Sequence, residues 1–300
     1  MIAGASWGWW IGFHAVVAVL LVADWFLPGN RRESKHEHLF AWIGTGAMVL
    51  AAASFSFWVA YAHGQEAALE YVAGYAIEMS LSIDNLFVFL VLFEGFHIGS
   101  DGQHRALLWG VGGAVVMRGL FIALGVSLLD RFSWITYVFG AFLLFAAYRL
   151  VAGSSTKDAV PKWIRNMKPA QGSLLPVIIA VEFTDVIFAV DSIPAVLAVT
   201  HNPFVAYTSN IAAVLGLRSL YFALAGLLDR IKYLHYGLGV LLAFIAVKMM
   251  TAHWFEIPIT ASLVVIGVIL GGCAIISAFK RAAERKQAIG SREQGLGNRE

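Results

Sequence analysis

Two stretches of this 300-residue chain set ionisable oxygen groups inside otherwise apolar runs. One is Glu78-Met-Ser-Leu-Ser82-Ile-Asp84-Asn85. The other is Glu182-Phe-Thr184-Asp185-Val-Ile-Phe188-Ala-Val-Asp191-Ser192-Ile-Pro194. Together they carry five carboxyls, one amide and several hydroxyls, with neither Cys nor His in either motif. An oxygen-only donor set suits hard divalent cations such as Mn²⁺, Mg²⁺ or Ca²⁺ better than Zn²⁺ or Cu⁺. Glu78, Asp84, Asn85, Glu182, Asp185 and Asp191 are therefore the candidate metal ligands, with Ser82, Thr184 and Ser192 as secondary donors. On a regular helix Glu78, Ser82 and Asn85 share a face, as do Glu182 with Asp185 and Asp185 with Ser192. Asp84 and Asp191 fall about 100–120° away. Either they serve a second ring of contacts or the helices are locally broken, and Pro194 argues for a break in the second stretch.

An ionisable side chain at a bilayer centre costs roughly 2.5–3.5 kcal/mol, so five unpaired carboxyls would cost on the order of 12–18 kcal/mol. They must face inward and find partners. Arg118 and Arg218 lie in apolar runs and are the candidate charge-compensating residues. Full ionisation leaves an excess of about three negative charges, which a divalent cation plus protons would complement. A purely structural ion-pair network is the competing reading, but two arginines do not balance five acids. Asp24, near the end of the first apolar run, reads as a snorkelling residue, with an entrance ligand as the minor alternative. His14, inside that run, reads as a packed, hydrogen-bonded histidine.

The elements that must position these groups follow from composition. The chain is 59% hydrophobic and 13% charged, with a mean hydropathy of +0.74. Such a chain cannot coat itself with polar groups, which excludes a soluble enzyme, a nucleic-acid binder and a disordered protein. One cysteine, Cys273, excludes a disulfide framework. Apolar runs long enough to span a bilayer occur at 8–27, 40–62, 68–95, 105–128, 132–151, 174–200, 204–228, 233–251 and 258–279. The expectation is an all-α polytopic protein of nine transmembrane helices. Residues 1–279 would form one transmembrane domain and 280–300 a basic cytoplasmic tail. No basic residue precedes the first run, so it reads as a retained span, not a cleaved signal peptide. With the N-terminus outside, seventeen of the 21 basic residues fall in cytoplasmic segments and only Arg131 in an outer one. The C-terminus is then cytoplasmic.

The chain also repeats itself. Arg118-Gly-Leu-Phe-Ile-Ala-Leu-Gly-Val-Ser-Leu-Leu-Asp130-Arg131 parallels Arg218-Ser-Leu-Tyr-Phe-Ala-Leu-Ala-Gly-Leu-Leu-Asp229-Arg230. Tyr137-Val-Phe-Gly140 parallels Tyr236-Gly-Leu-Gly239, and Ser-Ile-Asp84 parallels Phe-Thr-Asp185. The units are spans 3–5 (68–151) and 6–8 (174–251), leaving spans 1, 2 and 9 peripheral. Three spans are an odd number, so the second copy enters from the opposite side. Such a 3+3 inverted repeat is typical of secondary transporters that bind cargo at the midplane.

At these motifs the chain resembles the TerC family of integral membrane proteins, and within it the Alx-like bacterial branch. The family's Glu-x-Ser-Leu-Ser-x-Asp-Asn stands here as Glu78–Asn85, and its Asp-x-x-Phe-Ala-x-Asp-Ser-Ile-Pro-Ala as Asp185–Ala195. Thr208-Ser-Asn210 and Leu215-Gly-Leu-Arg218-Ser-Leu-Tyr221 fit as well. The resemblance implies a membrane exporter of Mn²⁺, not an enzyme, driven by the proton gradient. The metal is cargo, with Ca²⁺ fitting the same donors, and no prosthetic group is expected. Partners would be the metal, protons, the lipid bilayer, and membrane or exported proteins that receive metal, with no nucleic acid. Other members are linked to tellurite resistance or, in plastids, to membrane-protein insertion. Two alternatives remain: a non-transporting scaffold, insertion or metal-stress resistance protein, and an intramembrane aspartyl hydrolase built on a proton-sharing dyad.

Overall fold

The computed structural model describes residues 6–26, 37–96, 98–152, 174–224, 234–255, 257–273 and 275–276. Among the described residues there are nine α-helices: α1 (Trp7–Phe26), α2 (Glu37–His63), α3 (Gln65–Gly95), α4 (Ser100–Arg131), α5 (Ile135–Val151), α6 (Leu175–Leu197), α7 (Pro203–Leu224), α8 (Leu234–Thr251) and α9 (Ile259–Cys273). Each coincides with one of the nine apolar runs. Local chemistry sets the turns. Gly64, at φ +94°, makes the tight α2–α3 reversal that a side chain would strain. Asn202 caps α7 by accepting the N–H groups of Phe204 (3.0 Å) and Val205 (3.4 Å), and Pro203 follows at the first helical position. The segment 153–173 and the tail 280–300 lie outside the described residues.

Apolar side chains cover the outside and polar ones sit within, the reverse of a water-soluble bundle. Val116 on α4 is 69% exposed and Val268 on α9 is 68% exposed, while Glu78, Arg118 and Asn210 are fully buried. Three helices, at Ala41–His63, Gln65–Leu90 and Ser100–Arg131, are long and apolar enough to cross a bilayer by length and composition alone. Shorter apolar helices occur at Trp7–Val22, Ile135–Val151, Tyr236–Thr251 and Ile259–Cys273.

Helices α3, α4, α6 and α7 form the centre. The most extensive pairings there are α3 with α7 and α4 with α6, and α5 lies along α8 at the side. Glycines let these backbones approach. Gly110 of α4 faces Val181 of α6, and Gly74 of α3 faces Ser209 of α7. The break expected at Pro194 is absent: α6 runs without interruption from Leu175 to Leu197. Pro194 falls in the last turn, where its missing N–H removes a single bond and its own carbonyl still accepts from Ala198 N–H at 3.0 Å.

Candidate functional site

The central helices converge on Arg118. About five turns of α4 carry it to the middle of the bundle, roughly 27 Å along the axis from Ser100. Its guanidinium joins two carboxylates from different helices. Nε and Nη2 donate to Oδ2 (3.3 Å) and Oδ1 (3.0 Å) of Asp185 on α6. Nη1 donates to Glu78 Oε1 on α3 and to Asn210 Oδ1 on α7 at 2.9 Å. Asn210 Nδ2 closes the ring by donating to Glu78 Oε2 at 2.8 Å, and Ser82 Oγ donates to Oε1 at 3.4 Å. Glu78, Ser82, Arg118 and Asn210 are fully buried and Asp185 is 5% exposed. With both carboxyls ionised the cluster carries one uncompensated negative charge in a medium of low polarity. A planar fork suits this task because each arm meets a carboxylate oxygen directly.

The other expected residues take varied places. Glu182, one turn before Asp185, is half-buried, and its carboxylate lies against the α4 backbone at Gly113, where any Cβ would overlap it. Arg218 is half-buried and, with Asp185, lines a cavity of about 20 Å³ walled by Phe89, Leu107, Val111 and Val181. That is room for about one water. Thr184 is buried and its hydroxyl donates to the Ala180 carbonyl at 2.7 Å, leaving only lone pairs for another group. Ser192 Oγ is buried without a hydrogen-bond partner among the described residues. The side chains of Asp24, Asp84, Asn85 and Asp191 lie outside the described residues. Among the described residues no three His, Cys, Asp or Glu side chains gather in the manner of a metal site.

Asn210 is the site residue that the ligand reasoning did not single out. Its signal was present: Thr208-Ser209-Asn210 is a polar step inside an apolar helix, and all three residues are fully buried. Thr208 and Ser209 turn back to their own helix, to Phe204 and Ala206 carbonyls, whereas Asn210 reaches across to α3 and α4. His14 is hydrogen-bonded as expected, to the Trp10 carbonyl (2.8 Å) and the Tyr207 hydroxyl (2.9 Å), but it is exposed on the bundle surface and not packed in its interior.

Residues 63–288 match the Integral membrane protein TerC family. Alx of Escherichia coli (strain K12), described as a candidate membrane-bound redox modulator, is 37% identical over 312 residues, covering 94% of this chain and 97% of its own length. The uncharacterised membrane protein STKORF319 of Myxococcus xanthus is 35% identical over 297 residues, covering 91% of this chain and 92% of its own length. An uncharacterised membrane protein of Rickettsia bellii is 32% identical over 282 residues, covering 85% and 92%. No solved structure matches. With a family match across most of its length and relatives similar from end to end, the chain belongs to the TerC family of integral membrane proteins.

Proposed function

We propose that this protein exports a divalent cation, Mn²⁺ above all, across the bacterial inner membrane in exchange for protons, and that its acid–arginine cluster is the exchange site. The observation that carries the reading is Arg118 held between Glu78 and Asp185. Its guanidinium occupies the position between two buried carboxylates that a hard cation would seek. The arginine then acts as an internal counter-cation that closes the site when no metal is present. Metal entry displaces it, and Asn210 Oδ1 becomes a neutral oxygen donor beside the two carboxylates. Asp84, Asn85, Glu182 and Asp191 complete the ligand and proton-exchanging set, with Ser192 offering a free hydroxyl. Arg218 neutralises part of the remaining charge.

The inverted-repeat arrangement of spans 3–5 and 6–8 has support in the packing. The pairings α3–α7 and α4–α6 exchange into one another when the halves are interchanged. Gly140 of α5 lies against Ala246 and Met250 of α8, and Gly239 of α8 lies against Ala147 and Val151 of α5. Each residue of the first set is shifted from its counterpart by the same number of positions. The basic-residue distribution supports an outside N-terminus and a cytoplasmic C-terminus. The Alx relatives are described in terms of redox modulation. With one cysteine in these 300 residues, an intrachain dithiol couple is unavailable, so control of a redox-active metal is the route favoured here.

Purified protein in liposomes with an internal Mn²⁺ indicator and pH dye tests the reading. Wild type moves Mn²⁺ and protons in opposite directions, and Asp185→Asn moves neither. In cells dependent on this exporter, normal intracellular Mn²⁺ with Asp84→Asn or Asp185→Asn would sink the proposal. Peptide cleavage without flux would favour the hydrolase. Destabilisation of both variants with unchanged metal content would favour a scaffold.

A further inference from the structure

Two ionisable side chains within the apolar helices have no part in the acid–arginine cluster. They are Glu70, in the second turn of α3, and Lys248, in the last turn of α8, and both are half-buried. A charge kept inside an apolar bundle needs a partner. Glu70 finds one across the bundle. Thr200, fully buried in the linker between α6 and α7, donates to its Oε2 at 2.6 Å. The same hydroxyl accepts the Asn202 N–H at 3.1 Å, and Asn202 caps α7. One short chain of bonds therefore ties α3 to the end of α6 and the start of α7. Lys248 acts on the Glu70 carboxylate through charge, as do Glu66 and His201, but among the described residues it gives Glu70 no hydrogen bond.

This bond joins the two helices that carry the site's carboxylates. Glu70 stands roughly 12 Å from Glu78 along α3, toward the end of the bundle that holds Gly64. Between those levels α3 and α6 are packed shut. Gly74 approaches Val196, and Ala73 and Ile77 share a buried apolar cluster with Ala195 and Val199. On the Ser100 side of Arg118 the bundle is hollow: the cavity of about 20 Å³ lies between half-buried Arg218 and Asp185. A transporter that alternates access must part α3 and α6 at the Gly64 end, which the basic-residue distribution makes the outer end. The Glu70–Thr200 bond stands in the way. Lys248 offers the carboxylate a second partner, an ammonium in place of a hydroxyl. Two alternative partners for one group make a two-state switch.

We propose that Glu70 is the moving part of an outer latch. Bonded to Thr200, it holds the Gly64 end of the bundle closed. Turned to Lys248, it leaves α3 and α6 free to part and release the cation. This rests on the exporter reading. Only a hydrogen bond and an ion pair are exchanged, and no covalent bond changes.

Thiol labelling of the full chain in lipid nanodiscs tests it. Cys273→Ser removes the single native thiol, and Ala73→Cys then places one in the packed seam between α3 and α6, where a charged methanethiosulfonate reagent reaches it only when the seam opens. Val199→Cys, on the facing side of the same cluster, is the second reporter. Thr200→Val removes the donor that holds Glu70 and should speed labelling of both reporters about tenfold, the weight of one hydrogen bond to a charged group. Lys248→Gln removes the alternative partner and should slow labelling about fivefold. A merely structural rim contact would loosen in both variants, so opposite directions support the latch. Labelling in Thr200→Val no faster than in the reporter alone overturns the latch, and labelling in Lys248→Gln as fast as in the reporter alone, or faster, overturns the switch. Mn²⁺ flux of the reporter protein in proteoliposomes is measured alongside. If it moves no Mn²⁺ the exporter reading fails, and the labelling rates still decide whether Glu70 latches the Gly64 end.

Discussion

Replacing Arg118 by methionine removes a group that, among the described residues, links α3, α6 and α7 at the centre. Methionine approximates the aliphatic stem, so the change deletes charge and donors more than volume. It leaves Glu78, fully buried, and Asp185, 5% exposed, facing each other with no cation between them. Removing one partner of a buried ion pair costs about 3–5 kcal/mol, because the stranded charge keeps its desolvation penalty. For a chain of this size that corresponds to a fall of roughly 5–15 °C in the unfolding midpoint. The triple variant Arg118→Met/Glu78→Gln/Asp185→Asn removes the stranded charges together with the arginine and should regain most of the loss, since a matched neutral set replaces a buried ion pair at little cost. Thermal unfolding in detergent, followed by tryptophan fluorescence, ranks the three proteins. A metal arm extends the experiment. With its internal competitor gone, Arg118→Met should bind Mn²⁺ more tightly than wild type. Mn²⁺ at a hundredfold over its dissociation constant should restore about 2.7 kcal/mol, with no such rescue in the triple variant. An Arg118→Met protein as stable as wild type, or a triple variant no better than the single one, would refute the central ion cluster. Absence of metal rescue with the stability order intact would refute the site as a cation site.

Three further substitutions separate parts of the arrangement. Asn210→Leu loses its bonds to Glu78 and Arg118 and should cost about 1.5–3 kcal/mol, the range for hydrogen bonds to charged groups, measured by the same unfolding assay and accompanied by loss of Mn²⁺ flux. Gly113→Ala puts a methyl where the Glu182 carboxylate rests. Because that side chain is half-buried and flexible, stability should change by under about 1 kcal/mol while Mn²⁺ flux falls, and unchanged flux would remove Glu182 from the ligand set. Gly239→Leu drives a side chain into the Ala147 carbonyl, which would already be 3.1 Å from an added Cβ. Overpacking of about 1–3 kcal/mol is expected, visible as a lowered unfolding midpoint with Mn²⁺ binding retained.

Much of the fold was legible because its main signal is local. Whether a run of about twenty residues is apolar enough for a bilayer depends on that run alone, and each of the nine runs overlaps one of the nine described helices, with the ends expected at 228 and 279 lying outside the described residues. The exception is instructive. Pro194 suggested a break because proline interrupts helix interiors, yet interior and last turn are not distinguishable until the end of α6 is known. The site was half legible. Acids in apolar runs announce themselves by their cost, and Glu78, Asp185 and Arg118 were found that way. Helical periodicity also brought Ser82 to Glu78. Pairings across helices were out of reach: the repeat alignment set Asp84 opposite Asp185, whereas Arg118 joins Asp185 to Glu78.

By itself, then, the sequence determined the class of environment, the apolar runs that form the nine described helices and the presence of buried acids needing cations. Each of these follows from side-chain transfer energies read residue by residue. The tertiary structure alone decided which charges meet, that one guanidinium serves two carboxylates, that Asn210 joins them, and which buried hydroxyls are left without partners. Those outcomes depend on the rotation and depth of four helices relative to one another. Packing of small residues such as Gly74, Gly110 and Gly113 sets that geometry across the bundle, and no periodicity within a single helix encodes it.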